Sequence, residues 1–94
     1  MSIRDPLTRR HVVFRGRVQG VGFRWFAKET ADSLGLAGWV RNLRDGSVEA
    51  EVEGTPDALD AFERRMRTGC PSAQVDEVVS APSDVKNEKT FRII

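Results

Sequence analysis

A chain of 94 residues, 39% hydrophobic and 31% charged, has the size of one small domain and no room for a second core. Its formal charge of +1 gives no reason to expect a nucleic acid or a membrane surface as partner, so any anion binding has to be local. One cysteine excludes an internal disulfide, one histidine beside it does not make a usual structural zinc site, and the start lacks the apolar core of a secretory leader; a cytoplasmic location is expected.

Residues 1–10 are polar, contain Pro6 and show no periodicity, which predicts a flexible arm with Arg4, Arg9 and Arg10 solvated, followed by one domain over 11–94. His11 to Val18 reads as the first strand, with Val12 and Phe14 on one face and His11, Val13 and Arg15 on the other. His11, early in that strand, is expected to have a structural or surface role rather than a catalytic one. Then come Gly16, Gly20 and Gly22, three glycines within seven residues, and Arg24. Glycines let successive backbone N–H groups converge on one anion. A helix starting near Val21 or Gly22 adds its unpaired N–H groups and the positive end of its dipole. A cation in the first turn opposes that dipole, so Arg24 either points into solvent or is offset by a bound anion.

Phe23 to Leu34 carries a stripe of Phe23, Phe26, Ala27, Thr30, Ala31 and Leu34, which predicts a helix ended by Gly35. Trp25, one step off the stripe, is expected to be partly exposed. Ala37 to Leu43 and Val48 to Glu53 read as strands joined at Asp45-Gly46 into a hairpin. In the second of these strands Val48, Ala50 and Val52 alternate with Glu49, Glu51 and Glu53, predicting a wet, acidic face. Thr55-Pro56 opens a second helix with Leu59, Phe62 and Met66 facing the sheet. Thr68 to Ser72 ends it, and Cys70, with no histidine near it in sequence, is expected to be a bystander. Val75 to Ala81 is a fourth strand, Pro82 to Lys89 a loop, and Thr90 to Ile93 a short last strand.

The order β-α-β-β-α-β fits two layers, an antiparallel sheet of four to five strands covered on one face by two helices, which is the ferredoxin-like α+β arrangement. It places the loop from Gly16 to Arg24 at one end of the sheet, where a neighbouring strand can present Asn42. Read by itself, Asn42 is more simply a strand-end residue capping the Asp45-Gly46 turn.

Two blocks of sequence resemble the acylphosphatase family, small cytosolic hydrolases of acyl phosphates with this fold. One is Gly16-Arg17-Val18-Gln19-Gly20-Val21-Gly22-Phe23-Arg24, similar to the family's phosphate-binding signature; the other is Gly38-Trp39-Val40-Arg41-Asn42, followed by Gly46-Ser47-Val48 and Gly54. The resemblance runs from about Val12 to Ile94. The segment before His11 is longer than such proteins need, and the end, Phe91-Arg92-Ile93-Ile94, lacks the final aromatic of many relatives. The resemblance implies catalytic roles for Arg24 and Asn42, and a phosphate cradle of Arg17, Val18, Gln19, Gly20, Val21, Gly22 and Arg24. It implies a monomer that takes a small acyl phosphate, releases inorganic phosphate, and needs no metal or other cofactor.

Two other classes share the fold. An RNA-binding module would stack bases on the open sheet face, but Glu49, Glu51 and Glu53 offer no aromatic platform there and repel phosphates. A non-catalytic phosphate sensor, or a carbamoyl-phosphate-handling module of a larger enzyme, would keep the loop without the same use of it.

Overall fold

The computed structural model describes residues 6–94. The elements are β1 (Thr8–Arg17), α1 (Phe23–Ser33), β2 (Ala37–Asn42), β3 (Val48–Gly54), α2 (Pro56–Thr68), β4 (Gln74–Ser83) and β5 (Phe91–Ile93). One sheet has the order β4-β1-β3-β2-β5. Its first four strands pair antiparallel, and β5 joins the outer edge of β2 in parallel, with Gly38 opposite Phe91 and Val40 opposite Ile93. This last pair makes the sheet mixed where an antiparallel one is expected.

The start of α2 and the β2–β3 hairpin follow from local chemistry. In α2 the Thr55 hydroxyl accepts from the Ala58 N–H, Pro56 stands in the first turn and Asp57 faces the dipole, while Arg65 and Arg67 occupy the last turn. The hairpin closes through the Asp45 carboxylate, which accepts from the Ser47 N–H at 2.9 Å and from its hydroxyl, and this pair of bonds holds the carboxyl below its ordinary pKa. Both helices lie on one face, over Val12, Phe14, Val40, Val48, Ala50 and Val52, all fully buried. Phe14 sits edge-on to Phe23 and Phe62 at ring distances of 5.2 and 6.4 Å, and Phe62 meets Phe91 at 6.2 Å. Four aromatic rings thus tie both helices and the last strand to the centre, each burial being worth about 1.5–3 kcal/mol.

The expectation for Arg9 and Arg10 is overturned, whereas Arg4 lies outside the described residues. Strand β1 begins at Thr8, so both arginines belong to the sheet. Arg10, on the helix side, pairs with Asp60 and Glu63 of α2. Arg9, on the open side, is 2% exposed and meets three carboxylates: Glu51, Glu53 at 3.1 Å and Glu88 at 2.7 Å, the last outside hydrogen-bond geometry. The face expected to be wet and acidic is therefore largely paired. Glu53 is 3% exposed, accepting also from the N–H groups of Lys86 and Glu88, so the segment after β4 folds over it. Burial pushes the Glu53 carboxyl up, but these amides and Arg9 outweigh it and hold the group below the usual range. Further along, Glu49 bridges His11 and Arg41, and Arg41 stacks over Trp39 at 5.2 Å.

Candidate active site

Helix α1 begins without the devices that close α2. Its N-cap is Gly22 in the left-handed conformation (φ 79°), no side chain caps it, and its first turn contains no acidic residue. The first intrahelical bond runs from the Phe26 N–H to the Gly22 carbonyl at 3.0 Å, so the N–H groups of Phe23, Arg24 and Trp25 have no acceptor within the helix. Gly20 is also left-handed (φ 73°), and these two glycines turn the chain sharply between β1 and α1. An open helix end whose first three N–H groups have no acceptor among the described residues, and whose dipole is positive there, is suited to an anion.

The sequence cradle is distributed unevenly. Arg17 is the last residue of β1, paired with Gln74 of β4, and its side chain is exposed. Val18 is 1% exposed and belongs to the core, Val21 packs partly against it, and Cys70, itself buried, approaches the Val21 carbonyl with its Sγ at 3.9 Å. The open loop is thus residues 19–22. Arg24, half-buried, is in none of the ion pairs formed among the described residues. It borders a groove of about 650 Å³ between α1 and β5, lined also by Trp25, Lys28, Thr90 and Arg92. Trp25 is more open than expected, at 67% exposed.

Asn42 ends β2 and is exposed. The sheet register brings it to the loop's end of the molecule, because Val48 of β3 has Asn42 on one side and Phe14 of β1 on the other. Asn42 and Phe14 are thus two strand spacings apart, about 10 Å, and Phe14 packs on Phe23, the residue before Arg24. Asn42 stands two residues beyond Val40, whose side chain is buried beneath the helices, so the two share the helix side of the sheet. The turn beyond it is closed without its help: the Leu43 N–H donates to the Ser47 carbonyl at 2.9 Å, the Gly46 N–H to the Leu43 carbonyl at 3.2 Å, and Asp45 holds Ser47. The turn-closing reading of Asn42 loses its basis.

One participant was not singled out by its side chain. Gln19 reaches from the loop to the hairpin, its Nε2 donating to the Leu43 carbonyl at 2.7 Å and to the Ser47 carbonyl at 2.9 Å. Its place in the glycine block marked its backbone; nothing in the sequence marks two carbonyl acceptors 24 and 28 residues away. His11 stands apart from this loop, on the open sheet face with Glu49, whereas Cys70 lies buried beneath Val21, against the loop's core side. Among the described residues no group of three or more His, Cys, Asp or Glu side chains is placed to hold a metal ion, and no helix is long and apolar enough to cross a membrane.

The acylphosphatase family model matches residues 10–93, almost the whole chain. The chain belongs to the acylphosphatase family. It is 51% identical to an acylphosphatase from Nitrobacter hamburgensis over 83 residues, covering 88% of this chain and 84% of that one. Among solved structures, the acylphosphatase from Bacillus subtilis superposes with a TM-score of 0.90 at 38% identity, covering 95% of this chain and 99% of that one. The acylphosphatase from Coxiella burnetii gives 0.89 at 35% identity, covering 94% and 93%. The strand order and the two helices on one face are those of a ferredoxin-like α+β fold, shared with these acylphosphatases.

Proposed function

We propose that this acylphosphatase hydrolyses the carboxyl-phosphate bond of small acyl phosphates with Arg24 and Asn42 in the catalytic roles and without a metal. The observation that carries the reading is the uncapped, acid-free start of α1, with Arg24 in its first turn, at the same end of the sheet as Asn42. The guanidinium fork of Arg24 and the N–H groups between Gln19 and Arg24 bind the nonbridging oxygens of the phosphoryl group. The Asn42 carboxamide orients a water for attack on phosphorus. As the new P–O bond forms, the bond to the acyl oxygen breaks and a carboxylate leaves; the water's proton passes to a phosphate oxygen, giving inorganic phosphate. An acyl phosphate is a mixed anhydride with a good leaving group, so binding and positioning supply most of what the reaction needs.

We further infer a cytoplasmic monomer acting on a diffusible substrate, since every group invoked comes from one chain and the one cysteine is a buried free thiol. On the open sheet face Glu49, Glu51 and Glu53 of β3 supply no aromatic surface on which bases could stack, which does not favour a nucleic-acid role. Benzoyl phosphate as substrate tests the proposal. Turnover should persist in excess EDTA, and its loss on chelation with recovery on adding Mg²⁺ would refute the metal-free route.

A further inference from the structure

The loop that binds phosphate and the strand that carries the water-orienting group are separate pieces of chain, and one side chain joins them. Gln19 Nε2 lies 2.7 Å from the Leu43 carbonyl and 2.9 Å from the Ser47 carbonyl. Leu43 follows Asn42 directly, and Ser47 precedes Val48, the register partner of Asn42. Both carbonyls already accept a hairpin N–H, from Gly46 and Leu43 respectively, so Gln19 takes their second lone pairs. Both hydrogens of the amide are engaged. Its orientation is fixed as well, because a flipped amide would set its oxygen against two carbonyl oxygens.

We infer that Gln19 is a positioning residue, whose side-chain amide clamps the neck of the β2–β3 hairpin to the phosphate loop and thereby sets Asn42 relative to the bound phosphoryl group. The role is distinct from that of the Gln19 backbone, and it rests on the reading of Asn42 given above. It needs a primary amide of this length. Asparagine is one methylene short, and glutamate has the same shape but presents an acceptor where two donors are required.

The test is a double-mutant cycle on the full chain with benzoyl phosphate, with inorganic phosphate as the binding probe. Gln19→Ala should lower kcat by roughly 10- to 100-fold, the scale of a misplacement of about 1 Å in a reacting group, with phosphate inhibition within roughly threefold of wild type. Gln19→Glu should be at least as damaging. In an Asn42→Ala background the added Gln19→Ala change should cost no more than about twofold, because the group it positions is already gone. Circular dichroism at the assay temperature checks that each protein is folded, and Gln19→Met, which keeps the bulk and lacks the donors, replaces Gln19→Ala if that variant melts. Equal losses from the Gln19 change in both backgrounds would overturn the positioning role, as would a phosphate affinity that falls in step with kcat. Undiminished kcat in Asn42→Ala alone would instead sink the reading of Asn42, so the two failures are separable.

Discussion

Replacing Arg9 by methionine keeps much of the side chain's bulk and removes the cation at the centre of three carboxylates. The site is dry, since the Arg9 side chain is fully covered and that of Glu53 is 2% exposed. Breaking a buried ion pair from one side costs about 3–5 kcal/mol, mostly because the partner charge is left without compensation. Against the 5–15 kcal/mol typical of a whole domain this is a large fraction, and at about 4–8 °C per kcal/mol the midpoint should fall by at least roughly 12 °C. The pH dependence identifies the cause. In the wild type, burial raises the Glu53 carboxyl but the Lys86 amide, Arg9 and the Glu88 amide lower it further, so the folded chain binds fewer protons than the unfolded one. That contribution is complete above the ordinary glutamate pKa and is lost as pH falls through the lowered folded value. Without Arg9 the Glu53 carboxyl loses one of the groups that hold it down, so its pKa moves up towards the ordinary value and acid costs the variant less than the wild type. Urea titrations at pH 7 and about 4.5, near the ordinary glutamate pKa, should show the gap between the two proteins narrowing. A constant gap, or a variant as stable as wild type, would refute the clamp. Turnover per folded molecule should be unchanged, since Arg9 lies five strand residues from Phe14, about 17 Å along β1.

Arg24→Gln should lower kcat/KM by roughly 10³–10⁵ and weaken phosphate, while melting is unchanged or slightly raised because a cation leaves a helix N-terminus. Arg24→Lys should not restore activity, since a point charge cannot bridge two phosphoryl oxygens; turnover within about tenfold of wild type in the glutamine variant would remove Arg24 from the mechanism, and in the lysine variant would refute the need for the fork. Asn42→Ala should lower kcat by roughly 10²–10³ and leave phosphate affinity nearly intact; a large loss of phosphate binding would move Asn42 into the cradle. Inorganic phosphate should inhibit competitively, because the donors that hold the substrate's phosphoryl group persist after cleavage, and purely noncompetitive inhibition would contradict one shared site.

What could be read from the sequence is what depends on neighbours in the chain. Thr55-Pro56 as a helix start, Asp45-Gly46 as a turn, the apolar stripes and the glycine loop are local, and each element they imply is present within a few residues. The extended pairing at Arg9 and Arg10 was hidden because a charged strand with no apolar alternation reads like a solvated tail. Its partners become evident only when the register sets Arg9 against Glu53 and folds Glu88 over both. The parallel β5 was hidden for a related reason, since three residues carry no signal of strand direction and the edge they join is defined only by the hairpin before them.

The site divides along the same line. Arg24 was legible because a cation in a first turn breaks a local rule, and the structure sharpens the conflict by leaving that helix end uncapped while α2 is capped fully. Asn42 breaks no rule at a strand end, so only its place in a second block of the resemblance marked it. Gln19 is further out of reach: its acceptors are main-chain carbonyls, which every residue type supplies, so the composition of the hairpin cannot reveal that Leu43 and Ser47 receive it. Side chains that bond to backbone leave a trace at one end only. Of the inferred clamp only Gln19 is recognisable, so substitutions at Leu43 that keep its backbone conformation should leave kcat near wild type while any loss of the Gln19 amide lowers it.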